Sequence, residues 1–118
     1  MVQALYDEGP ATGDSRRVWL ERLKRDGVYL IDLVPYPVNK LPARRRHRLA
    51  HIETCTQAAR ALSPDGIIVC HKPTYEDLAP SLVAAGLPLL HDEPIPFPLP
   101  QYRPAFIEAV SLAVAKLA

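Results

Sequence analysis

The sequence lacks a strong excess of charge of either sign. Its 118 residues carry fourteen Lys and Arg against thirteen Asp and Glu, which gives a formal net charge of +1 at pH 7. A chain that is basic throughout, and that binds nucleic acid by its overall charge, is therefore excluded. Any binding of phosphate must come from a local patch.

Long hydrophobic runs are also missing. No apolar stretch approaches the ~18 residues of a membrane-spanning helix, and the first ten residues, MVQALYDEGP, are too acidic and too short for a signal peptide. We therefore expect a cytoplasmic protein with no membrane partner. The two cysteines, Cys55 and Cys70, form no CxxC pair. Both fall at positions that we expect to be buried, which favours reduced core thiols over a disulfide or a metal site.

The sequence motifs of several enzyme classes are absent. There is no GxSxG nucleophile elbow, no GxGxxG and no GxxxxGK[ST]. A nucleotide held by a glycine-rich loop is therefore not indicated, and we expect no cofactor.

Three short apolar runs are present, and helical patterns alternate with them. The runs are Val28–Val34, Gly66–Cys70 and Leu87–Leu90; each is apolar on both sides, as in buried parallel strands. Helices are expected over Asp14–Asp26, over Pro42–Ser63, after Thr74 and at the C-terminus. This order predicts a three-layer α/β/α fold with a small, mainly parallel sheet, βαβαβα plus an N-terminal helix. We expect a flexible N-terminus over residues 1–13 and a single domain over 14–118.

The segments after the three strands carry most of the chemistry. In open α/β sheets, ligands bind outside the carboxyl ends of the strands. Asp32, His71 and His91 stand at or just after those ends. We take them as candidate catalytic residues.

A run of basic residues lies between the first predicted strand and the first turns of the helix that follows it: Lys40, Arg44, Arg45, Arg46 and Arg48. The helix macrodipole disfavours cations at a helix N-terminus, so this run opposes helix stability and indicates phosphate or nucleic-acid binding. The alternative is a solvated basic face neutralised by local carboxylates. His47 and His51 have the i, i+4 spacing that can share a metal. No third ligand stands nearby in sequence, and this favours an ordinary helical pair.

Three segments together resemble the uracil-DNA glycosylase superfamily, over roughly residues 27 to 118. They are GVYLIDLVPYPVNKLP, ALSPDGIIVCHKPTYEDLAPSL and GLPLLHDEPIPFPLPQYRPAFIEAV, in the family's order. The resemblance implies an α/β domain with DNA as its partner. It also implies that the loop before the last helix contacts DNA, with Phe97 or Leu99 as an apolar wedge, Arg103 in the same loop, and Tyr36 or Tyr75 as a stacking surface. Packing of Phe97 and Leu99 against the terminal helix is the alternative.

The family's motifs are only partly present. The loop that activates the catalytic water precedes the first strand in the family, and nothing in MVQALYDEGPATGDSRR can supply it. Asp32 stands where the family reads uracil with an Asn, and His91 lies several residues early. We therefore expect a domain without glycosylase activity that binds nucleic acid or phosphate. The alternatives are an active DNA-repair hydrolase, with a site shared across an oligomer, and a structural or interaction domain. Because a three-stranded sheet leaves its edges open, we expect a homodimer or another chain that completes the sheet.

Overall fold

The computed structural model describes residues 21–38, 40–97 and 99–117. Of these residues, 55% are helical and 4% lie in β-bridges, and no sheet forms among them. The predicted three-layer α/β/α fold with a parallel sheet is therefore wrong. The expected flexible segment 1–13 lies outside the described residues, as does the first half of the predicted N-terminal helix; residues 21–25 of that helix are helical.

Three long helices make up nearly half of the described residues. They are α1 (Arg44–Ala61), α2 (Lys72–Ala84) and α3 (Arg103–Ala115), and a single 3-10 turn over Pro100–Tyr102 leads into α3. α1 lies within the helix predicted from the apolar stripe of residues 42–63. Proline occupies the first turn of α2 and of α3, where the missing N–H costs no hydrogen bond.

α1 and α2 pack side by side through small and branched side chains. Cys55, Thr56 and Ala59 are buried on α1, and Leu78, Ala79 and Leu82 are buried on α2. The hydroxyl of Thr56 donates to the carbonyl of Ile52 at 2.9 Å and lies 2.9 Å from the hydroxyl of Ser81. The one buried polar side chain of this contact is thus satisfied, so burying it carries no desolvation penalty.

The extended segment 66–70 lies between this helix pair and α3. Ile67 and Val69 pack with the α1–α2 cluster, while Ile68 and Cys70 pack against Ile95 and its neighbours on α3. The alternation follows the two-residue period of an extended chain. The segment is therefore covered on both sides, as its composition predicts.

Pairing of this segment stops at two isolated parallel bridges, Ile67 with Leu89 and Cys70 with Ile95. The partner stretch is LPLLHDEPIPFP, where proline stands next to both bridging residues. Proline has no N–H to donate to a ladder. The bridges therefore cannot extend into a regular strand pair, and this explains why the expected sheet is missing.

The first predicted strand is not a strand. Tyr29, Leu30 and Ile31 are 62%, 66% and 43% exposed, and only Leu33 of this segment packs against the α1–α2 cluster. The backbone of residues 29–35 forms no hydrogen bond within the described part of the chain. The homodimer or partner chain was expected because a three-stranded sheet would leave its edges open. The described residues contain no sheet, so that reason no longer applies. Self-association stays a prediction.

Among the helices that the structure describes, none combines the length and the apolar character needed to cross a bilayer.

Candidate phosphate-binding site

The N-terminus of α1 has no capping group of its own. Its N-cap residue, Ala43, has φ 54° and ψ 49°, and no side chain caps the helix. The first turn contains no acidic residue. The positive end of the helix dipole and the first backbone N–H groups are thus left to solvent or to an anion.

One carboxylate faces the arginines of this turn. Asp77, on α2, has a side chain that is only 8% exposed, and its Oδ2 accepts a hydrogen bond from Arg48 Nε at 2.8 Å. Arg45 Nε lies 3.5 Å from the other carboxylate oxygen, but the Arg45 side chain remains 74% exposed. The Arg48–Asp77 pair therefore joins the two helices, whereas the Arg45 contact is a weak surface interaction.

The remaining cations of the run, Lys40, Arg44 and Arg46, are exposed. None of them forms an ion pair or a side-chain hydrogen bond in the part of the chain that the structure describes. Two of the five basic side chains, Arg45 and Arg48, thus face one carboxylate, and the other three have no acidic partner among the described residues. The alternative interpretation of the basic run was a solvated face neutralised by local carboxylates. Asp77 neutralises Arg48 in this way and, in part, Arg45.

A tyrosine and two histidines meet beside this turn. Tyr36 Oη lies 2.8 Å from His47 Nδ1 and 3.1 Å from His51 Nε2. The Tyr36 ring stands edge-on to both imidazoles, at interplanar angles of 84° and 76°. From the sequence, His47 and His51 were expected to form an ordinary helical pair, because no third metal ligand stands near them along the chain. A tyrosine in the proline-rich loop just before the helix was the signal that could have identified this cluster.

His91 is fixed by the backbone at both ring nitrogens. Its Nδ1–H donates to the carbonyl of Glu93 at 2.7 Å, and its Nε2 accepts the N–H of Val69 at 3.0 Å. These two bonds require the neutral Nδ1–H tautomer. Ile67 and His71, on either side of Val69, donate their N–H groups to the carbonyls of Pro88 and Ile95. The imidazole of His91 thus takes the place of a backbone carbonyl between the two bridges.

His71 lies at the start of α2 with an unusual backbone, φ 86° and ψ 115°. Its Nδ1 is 3.0 Å from the hydroxyl of Thr74. Burial, and secondarily the positive charge of Arg48, lower the pKa of the His71 imidazole. The neutral form is therefore favoured, and the effect of Arg48 places the basic run and His71 within electrostatic reach of each other.

The other predicted site residues are dispersed. Phe97 is 52% exposed and stands edge-on to His71 with ring centroids 6.0 Å apart. Arg103 is exposed at the start of α3. Asp32 is exposed and forms no hydrogen bond or ion pair with the described residues. The described contacts connect His71 to Phe97, and they do not connect Asp32 to His71 or His91; the catalytic assignment of Asp32, His71 and His91 stays a prediction.

Both cysteines are free thiols, and burial raises the pKa of each. Within residues 21–38, 40–97 and 99–117, no three His, Cys, Asp or Glu side chains form a group that could hold a metal ion. Cys55 is buried in the α1–α2 cluster, and the half-buried Cys70 packs against the Ile95 cluster; that both thiols are reduced stays a prediction.

No protein-family model matches the chain, and neither a curated protein nor a solved structure shows significant similarity to it. The resemblance to the uracil-DNA glycosylase superfamily stays a prediction.

Proposed function

We propose that the chain binds single-stranded DNA through its phosphate backbone, and that it does so without cutting or removing bases. The contact surface is the start of α1 with the loop before it, which carries Lys40, Arg44 and Arg46. Arg48 belongs to the same run but is engaged with Asp77. The observation that supports the proposal is the imbalance of five basic side chains against one carboxylate, in a chain whose net charge is only +1.

Stability alone does not account for this arrangement. Cations in the first turn of a helix are unfavourable by a few tenths of a kcal/mol each, and here they are combined with an uncapped N-terminus. An anion at this position would bring together the unused N–H groups, the helix dipole and the guanidinium groups. Polyanionic phosphate is the ligand that fits all three features.

An aromatic side chain beside the basic turn favours a single strand over a duplex. Tyr36 is 40% exposed and is fixed next to the first turns of α1 by its contacts with His47 and His51. In proteins that bind single strands, unstacked bases stack on exposed aromatic rings, and neighbouring cations contact the phosphates of the backbone. A duplex keeps its bases stacked and offers this ring no partner.

The test is fluorescence anisotropy with a labelled oligonucleotide of mixed sequence, over a series of salt concentrations. Three cations that contact a single strand predict a slope of log K against log salt of about −2. The double variant Arg44→Ala, Arg46→Ala should weaken binding severalfold at low salt and bring the slope to about −1.

Arg60→Ala is the matched control, because Arg60 lies on the same helix in its last turn. This variant should bind as the unaltered chain does. Equal binding by the double variant and the unaltered chain would contradict the proposal, and so would binding that salt does not change.

Base excision is the alternative that the same sample can test. Release of uracil from uracil-containing DNA, abolished by Asp32→Ala or His91→Ala, would support the hydrolase with Asp32, His71 and His91 in its site. We expect no release, because both ring nitrogens of His91 are held by backbone groups.

A further inference from the structure

The cluster of Tyr36, His47 and His51 is more than an ordinary helical histidine pair. One phenol oxygen lies within hydrogen-bonding distance of a ring nitrogen of each histidine. The histidines are four residues apart on α1, so their side chains emerge on the same face of the helix. One oxygen and two nitrogen atoms of types that bind transition metals are therefore joined through the phenol oxygen.

We propose that Tyr36, His47 and His51 form a binding site for a divalent transition-metal ion, of which Zn²⁺ is the best match. Imidazole nitrogen is a preferred ligand of zinc and copper. Zinc sites with three protein ligands and one open position are a common type.

The distances are close to those that such a site needs. Ligands bound tetrahedrally at a Zn–N or Zn–O length of 2.0–2.1 Å lie about 3.3 Å from one another. The two measured separations, 2.8 Å and 3.1 Å, differ from this by a few tenths of an ångström. Small rotations of the tyrosine and histidine side chains would open the cluster enough to admit the ion.

The surroundings allow the chemistry. Tyr36 is 40% exposed and both histidines are half-buried, so an ion can enter and a water molecule can take the fourth position. Zinc would replace the phenolic proton, which leaves to solvent, and the two imidazoles would bind in their neutral forms. The positive charges of Arg44 and Arg48, on the same helix as the histidines, repel the ion. Asp77 offsets the charge of Arg48.

The experiment is isothermal titration of the full chain, freed of any polyhistidine tag, with zinc chloride. We expect one ion per chain. Tyr36→Phe, His47→Gln and His51→Gln should each weaken binding by roughly 10-fold to 100-fold or more. Tyr29→Phe is the matched control and should leave the affinity unchanged. Tyr29 is 62% exposed, and among the described residues no contact joins it to His47 or His51.

Two measurements on the unaltered chain do not depend on the folding of any variant. Zinc should produce the ultraviolet difference spectrum of a phenolate. It should also shift the ring resonances of two of the four histidines. Absence of zinc binding, a shift of all four histidines, or equal affinity in the three ligand variants would overturn the proposal.

The zinc site and the DNA-binding surface share Tyr36 but not the arginines. The variant Arg44→Ala, Arg46→Ala retains all three ligands and should still bind zinc. Loss of DNA binding in that variant together with retained zinc binding would show that zinc binding does not depend on the DNA-binding cations, and failure of one proposal would then be distinguishable from failure of the other.

Discussion

Two apolar stretches of the chain have similar sequences and opposite environments. Segment 66–70, GIIVC, is covered by helices on both sides, with Val69 only 5% exposed. Segment 28–34, VYLIDLV, has the same strand-forming composition, yet Leu30 is 66% exposed. Local preference for extended backbone is common to both, so it does not decide which one enters the core.

The difference lies in what each stretch meets. Backbone N–H groups of Ile67 and His71 bond to the carbonyls of Pro88 and Ile95, and the N–H of Val69 bonds to the ring of His91. In segment 28–34, only the N–H of Val28 is bonded, to the carbonyl of Leu23 in the preceding helical turn; residues 29–34 have no backbone partner within the described residues, and the segment contacts the core through Leu33. Burial of an extended segment thus depends on partners for its backbone, because each unsatisfied buried peptide group costs about 1–3 kcal/mol, enough to offset the burial of one apolar side chain.

The largest effect is expected from removing apolar volume next to the buried segment. Ile95 is 2% exposed and bridges Cys70. Ile95→Ala should lower the free energy of unfolding by about 3 kcal/mol, through lost burial and the cavity left behind. The same change at Ile31, which is 43% exposed, should cost well under about 1 kcal/mol. Urea denaturation measures both, and equal losses would contradict the contrast between the two segments.

A smaller effect is expected from a matched pair of aspartates. Asp77→Asn removes the charge that pairs with Arg48, whose side chain is 16% exposed. We expect a loss of about 2 kcal/mol, below the roughly 3–5 kcal/mol typical of fully enclosed pairs. Asp32→Asn, in the exposed segment, should change the free energy of unfolding by less than about 0.5 kcal/mol. A larger cost at Asp32 than at Asp77 would mean that segment 28–34 is packed in a way that the structure does not show.

The helices α1 and α3 were predictable from the sequence, because the spacing of their apolar residues carries the information. Phe106 and Val110 are 2% and 3% exposed on α3, as the predicted apolar face of the terminal helix requires. The sheet was not predictable in this way. Whether apolar runs pair depends on distant partners, and here prolines on both sides of Ile95 and next to Leu89 stop the pairing at single bridges.

The candidate site was predicted in part. The charge run was visible because it opposes the helix dipole, and the structure leaves most of it exposed. Two relations were not visible. Asp77 stands 29 residues from Arg48, and no local pattern connects them. Tyr36 meets His47 and His51 only because the loop folds back onto α1.

Amide hydrogen exchange, followed residue by residue on the unaltered chain, tests the contrast between the two apolar stretches most directly. We expect slow exchange at Ile67, Val69 and His71, whose N–H groups are hydrogen-bonded. We expect fast exchange at Tyr29, Leu30 and Ile31. Protection of those last three amides to the same degree as Val69 would show that the backbone of the first stretch is hydrogen-bonded, and would contradict the difference between the two stretches.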